Sequence, residues 1–177
     1  MKLFRALVFV SVLILGTESP AGATNWTWTD STPTSDYFVD LESTFYKTDL
    51  NGKPITNIIF YWQKIDHAPE AGPELSEIFG DKFRNTSWSV WKKSIHMIDK
   101  TMSTHIVYFF DVKGRLIDVF NFSDPICSIV SPRSLDDSEF RVLEKYVHAH
   151  RDAILLRTME MVEKKTQNHN KENADKE

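Results

Sequence analysis

A single cysteine, Cys127, in 177 residues excludes an internal disulfide, so the fold has to be held by packing. Only 6 glycines are present, and no segment repeats. Past residue 23 no apolar run reaches the roughly 20 residues of a membrane-spanning helix. Neither charge sign dominates: 21 basic against 25 acidic side chains leave −4, and a nucleic-acid partner calls for a basic patch or stripe. Catalytic signatures are missing as well. There is no Gly-x-Ser-x-Gly elbow, and nothing around Cys127 resembles a cysteine-protease site. No His-Glu-x-x-His pair occurs, and His148 and His150 point about 200° apart on a predicted helix. His96 and His105 fall on different predicted strands with no carboxylate at a fixed offset. Asp136-Asp137 is explained by its place at a helix start. The sequence therefore predicts no catalytic residue, no metal ligand and no cofactor.

What the chain does have begins at its N-terminus. Lys2 and Arg5 precede an apolar run from Ala6 to Leu15, and Ala21-Gly22-Ala23 supplies small residues before a cleavage point. That layout is a secretory signal peptide over residues 1–23. Its removal takes away Lys2, Arg5 and Glu18, moving the net charge from −4 to −5. Residues 24–165 are read as one domain. Thr166 to Glu177 lacks large apolar side chains and is expected to be disordered.

Between these ends, apolar alternation predicts strands. They cover Trp26–Thr29, Tyr37–Leu41 with an extension through Tyr46, Ile55–Ile65, Trp88 towards Ile98, His105–Phe110 and Leu116–Phe122. Asn51-Gly52 predicts a type I′ hairpin turn, and Lys113-Gly114 a second turn. Leu75, Ile78, Phe79 and Phe83 predict a short helix over Pro73–Lys82, and Asp124-Pro125 is expected to end the sheet. Ser134 then caps a helix whose apolar positions Phe140, Leu143, Val147, Ile154, Leu155, Met159 and Val162 carry it from Leu135 to Lys165. Strands joined by hairpins and followed by a helix make an α+β domain: an antiparallel sheet of about five to seven strands, a short helical insertion and a long C-terminal helix.

Two groups of residues qualify as a partner surface. Trp26 and Trp28 share one face of one strand and can offer an exposed aromatic pair. Ile154, Leu155, Met159 and Val162 lie on the half of the terminal helix that outruns the sheet, which predicts a protein partner or self-association through that helix. Cys127, within Ile126-Cys127-Ser128-Ile129-Val130, is expected to pack as a small buried hydrophobe. Three Asn-x-Ser/Thr triplets, at Asn25, Asn85 and Asn121, are read as coincidental.

Several segments resemble the opening and closing motifs of small exported bacterial proteins of the surface-adhesin protein E family. Trp26-Thr27-Trp28-Thr29-Asp30-Ser31 and Asp36-Tyr37-Phe38-Val39-Asp40-Leu41-Glu42-Ser43 are similar to its first strands, and Phe60-Tyr61-Trp62-Gln63-Lys64 to its Trp-centred motif. Phe110 to Asp118 resembles its later hairpin, and Ile129-Val130-Ser131-Pro132-Arg133-Ser134 its entry to the closing helix. The family's paired cysteines are absent and the helix beyond His150 is additional. The resemblance implies an antiparallel sheet with a flanking helix and a location in the envelope or on the surface. The resulting expectation is an exported, non-enzymatic bacterial protein in the periplasm, at the cell surface or outside the cell. It would bind a macromolecular partner and would have no nucleic-acid partner and no stable membrane span. The alternative is a carrier of a small molecule or lipid, with its pocket between the strand Ile55–Ile65 and the terminal helix; an enzyme ranks third.

Overall fold

A computed structural model describes residues 25–174, and side chains as far as residue 168. Six antiparallel strands follow one another in sequence order across a single sheet. They are β1 (Trp26–Ser31), β2 (Ser35–Thr48), β3 (Pro54–His67), β4 (Thr86–His96), β5 (Thr101–Asp111) and β6 (Leu116–Ile129). Helix α1 (Gly72–Phe79) lies between β3 and β4; α2 (Leu135–Ala149) and α3 (Arg151–Ala174) close the chain. No described helix is long and apolar enough to cross a membrane.

Two hairpins use one device. In each, an aspartate carboxylate accepts from two backbone N–H groups of its own turn: Asp49 from Asn51 and Lys53, Asp111 from Lys113 and Arg115, all at 2.9 Å. A glycine at positive φ, Gly52 or Gly114, then completes the reversal. Asn51 keeps a negative φ, so the first turn is not the type I′ expected from Asn51-Gly52: the loop is one residue longer and closes on Asp49 and Lys53.

Adjacent strand residues point to opposite faces. On one face Val39, Tyr46, Ile59, Tyr61, Ile95 and Met102 meet Phe140 and Leu143 of α2 and Ile154 of α3. Further along it, Val107 and Phe109 meet Leu75 of α1, Phe83 of the following 3₁₀ turn, and Phe79. β3 is therefore central, but helices α1 and α2 pack on only one of its faces. The short helix stops at Phe79 rather than Lys82 because Gly80 takes φ 103°, and a 3₁₀ turn over Asp81–Asn85 delivers Phe83 to the core.

Three expectations need correction. The sheet does not end at Asp124-Pro125. β6 continues to Ile129, with its register against β5 jumping from Ile106↔Asn121 to Thr104↔Ile126. Pro125 sits in that unpaired bulge of an edge strand, where no ladder hydrogen bond is lost. Second, the terminal helix is two helices. His150 leaves helical geometry at φ −125°, its ring stacked on Tyr146 at 4.3 Å, and the bend lets α3 descend onto β2. There Thr158 Oγ1 accepts from the Tyr46 N–H at 3.0 Å, and the Arg157 guanidinium donates to the Thr44 carbonyl at 2.6 Å. Third, residues 166–174, expected to be disordered, continue α3, since an existing helix extends at little cost. Residues 175–177 and the signal segment 1–23 lie outside the described residues.

Candidate functional site

The face turned away from α1 and α2 is built of cross-strand rows. One reads Trp28, Phe38, Lys64, Val90, Tyr108, Val119 from β1 to β6. The next reads Trp26, Asp40, Trp62, Lys92, Ile106, Asn121. Each row sets one lysine beside an aromatic ring, so ammonium groups lie over rings: Lys64 Nζ is 5.6 Å from the Phe38 centroid and Lys92 Nζ 5.5 Å from Trp62. A third row stacks Trp88 on Phe110 at 3.8 Å. This layer of side chains leaves Trp62 only 8% exposed, whereas Trp28, on the edge strand, stays 57% exposed. Trp28 donates its indole N–H to Ser31 Oγ at 3.0 Å, which fixes the ring outward. Trp26, in the neighbouring row, is half-buried.

The second predicted surface is divided by the structure. Ile154 is fully buried in the sheet–helix core and cannot meet a partner, because the bend at His150 turns it inward. Val162 is half-buried close to Gly52 of the β2–β3 hairpin. Leu155 and Met159 are exposed. Cys127 is corrected likewise: it is exposed on β6, beside Ser103 Oγ at 3.1 Å, with Ile126 and Ile129 exposed around it. An edge strand has a neighbour on one side only, so an apolar run there need not be core.

On the helix-bearing face a groove opens between α1 and the start of α2, with a volume of about 530 Å³. Two polar groups in its floor break the apolar register of their strands: Gln63 between Tyr61 and Ile65, and Lys93 between Trp91 and Ile95. Lys93 reaches Glu139 of α2 at 2.6 Å and Asp136 at 3.7 Å. Burial raises the Glu139 carboxyl above the usual range against the pull of Lys93, and among the described residues its Oε1 finds no hydrogen-bond partner. Burial, reinforced by the Glu139 and Asp136 charges, also pushes the Tyr61 hydroxyl well up. At the groove's far end His67 Nδ1 is 3.1 Å from Ser35 Oγ, and its Nε2 is 2.9 Å from Ser89 Oγ, which also accepts from the Trp91 indole. Burial depresses His67 to about 4, so it is neutral at pH 7. Among the described residues no group of three or more His, Cys, Asp or Glu is placed to hold a metal ion.

Sequence reasoning singled out none of Gln63, Lys93, Glu139, Ser35 or His67. A signal was available for the first three, since each is a polar residue on an otherwise apolar stripe. Ser35 and His67 carry none, because their pairing depends on strand register.

No family model matches the chain, and no curated protein matches it in sequence. Among solved structures it is similar to protein E of Haemophilus influenzae. Crystal form II aligns at 12% identity over 67% of this chain and 93% of that one, with a TM-score of 0.45. Protein E from non-typeable Haemophilus influenzae aligns at 11% identity over 78% and 99%, with a TM-score of 0.42. The likeness is a weak structural resemblance.

Proposed function

We propose that the chain is an exported, non-enzymatic envelope protein that binds a macromolecular partner through the aromatic, lysine-bearing face of its sheet. The observation that carries this reading is Trp28: a large indole, 57% exposed, held outward at the end of a row of aromatic and basic side chains. Amphipathic rings with little conformational freedom are the side chains most often found anchoring protein contacts. The N-terminal signal layout supports export. The carrier alternative has less support: Tyr61, Phe140, Leu143 and Ile154 pack as core between β3 and the terminal helices, and the cleft left between Phe60 and Met161 of α3, about 260 Å³, is below the size of a usual ligand site.

The test is site-specific photocross-linking in the producing cell. A photoreactive residue at position 28 or 119, at the two ends of one row, is expected to give envelope-fraction adducts of the same mass. Position 78, exposed on α1 across the sheet, is expected to give none. A cytosolic location, or adducts independent of the face probed, refutes the reading.

A further inference from the structure

We propose that the groove between α1 and α2 is a second binding site, and that its ligand is a linear aliphatic polyamine. The first observation is the sign of its charge. Glu74 of α1 and Asp136 of α2 line the groove against a single ammonium, that of Lys93. Lys93 is held at 2.6 Å by Glu139 and at 3.7 Å by Asp136, so its charge is answered within the protein. His67, kept at about 4 by burial, adds no cation at pH 7. Whether or not the buried Glu139 carries a proton, carboxylates outnumber ammonium groups here, and the field of the groove favours a positive guest. The second observation is Gln63, a residue only 5% exposed that opens its amide to solvent in the groove and hydrogen-bonds to no described residue. Its amide oxygen is thus available to accept from an ammonium N–H. Beside it across the strands is Trp91, whose indole N–H is committed to Ser89 Oγ, so that Trp91 presents its ring to the groove. An aromatic face suits a cation and the methylene groups next to one.

Spacing then selects a chain with more than one amine. Glu74 and Tyr37 share the groove's lining, and after burial the Glu74 charge adds to the rise of the Tyr37 hydroxyl above its usual range, as it must for a carboxylate close by. Tyr37 pairs with Ile65, and Ile65 with Ser89. Asp136 instead stands against Lys93, four residues further along β4 than Ser89. Four residues of strand span roughly 13 Å. Gln63 and Trp91 lie midway between the two rows, and Leu75, Ile126 and Leu135 add apolar wall. A carboxylate towards each end, an amide acceptor in the middle and hydrocarbon between them match an extended triamine such as spermidine. A volume of about 530 Å³ falls within the range of ligand-sized clefts. The site lies on the opposite face of the sheet from Trp28, so it stands or fails apart from the partner surface.

The test uses the chain from residue 24 to 177. It is titrated separately at pH 7 and low salt with spermidine, with butylamine and with 1,8-octanediol, read by calorimetry and by NMR of the Gln63 side-chain amide and the Trp91 indole. Spermidine is expected to bind saturably and to shift both signals. Butylamine, with one charge, and the diol, with none, should each bind at least tenfold more weakly. Glu74 is exposed, so Glu74→Gln should fold, and it should weaken spermidine binding tenfold or more. Asp136→Asn, which leaves the Lys93–Glu139 pair in place, should do the same from the other end. Trp28→Ala should leave binding unchanged. Absence of saturable spermidine binding overturns the proposal. So does butylamine or the diol binding as tightly as spermidine, binding undiminished in Glu74→Gln, or binding lost in Trp28→Ala.

Discussion

Acidification should destabilise this domain through His67. Its ring is enclosed between Ser35 and Ser89, and burial holds its pKa at about 4, partly opposed by the charge of Asp66. In the unfolded chain a histidine titrates near 6.5. A base whose folded pKa is depressed binds its proton more readily when unfolded, so stability is complete above pH 6.5 and falls as the pH drops towards 4. Linkage over that window gives a loss of about 2 kcal/mol at pH 5, approaching about 3 kcal/mol below pH 4. A chain of this length should lose about 4–8 °C in melting temperature at pH 5 from this group.

The assay is urea denaturation of the wild type and of His67→Gln at pH 7.5, 6.5, 5.5 and 5.0. Glutamine can still bond the two serine hydroxyls but does not titrate. The stability of the wild type minus that of the variant should fall by about 2 kcal/mol between pH 7.5 and 5.0. His105, lowered by burial and by the Lys92 and Lys47 charges, contributes a slope of the same sign in both proteins and cancels in the difference. Parallel curves would refute the reasoning, because they would mean that the folded ring charges as easily as the unfolded one.

Lys93→Met should cost about 3–5 kcal/mol in urea denaturation by stranding Glu139, and Lys93→Met with Glu139→Leu should recover most of it; a double variant as unstable as the single one contradicts this. Cys127→Ser should change stability by no more than about 0.5 kcal/mol, as for other surface positions. A thiol reagent should modify Cys127 without denaturant, and protection in the folded state would show that β6 is covered. Truncation after Arg151 removes Ile154, whose burial alone is worth about 2–5 kcal/mol, together with the hydroxyl that satisfies the Tyr46 N–H. The shortened chain is expected to lose dispersed amide NMR signals, and a well-dispersed spectrum would return the second half of the helix to the role of an appendage.

Most of the sheet was legible because period-two alternation is a local property of the chain: Ile59, Tyr61 and Ile65 fall on one face whatever surrounds them. The cap at Ser134, with its hydroxyl accepting from the Asp137 N–H at 3.2 Å, is equally local. The break at His150 was not legible. Nothing in the helical spacing from Val147 to Ile154 changes there. The bend is favoured by contacts more than a hundred residues away in sequence, between Thr158 and Tyr46 and between Arg157 and Thr44.

Periodicity identifies which side chains share a face but is silent on what lies above that face. Trp28 and Trp62 illustrate the difference. Both sit in strands of the same alternating pattern and both belong to the face without α1 and α2, yet one is 57% and the other 8% exposed. Trp62 has cross-strand neighbours on both sides, Asp40 and Lys92, and the Lys92 stem and Tyr108 ring close over it. Trp28 has a neighbour on one side only, because β1 is an edge. The same asymmetry at the other edge exposes Cys127, Ile126 and Ile129 on β6. Gln63 is the converse case: a polar residue in the register of the core, beside Tyr61 and Ile65, lying under a gap that α1 and α2 leave between them. An apolar residue at a sheet edge and a polar residue at its centre are thus the positions where strand pattern and burial part company, and both candidate surfaces of this protein are made of such positions.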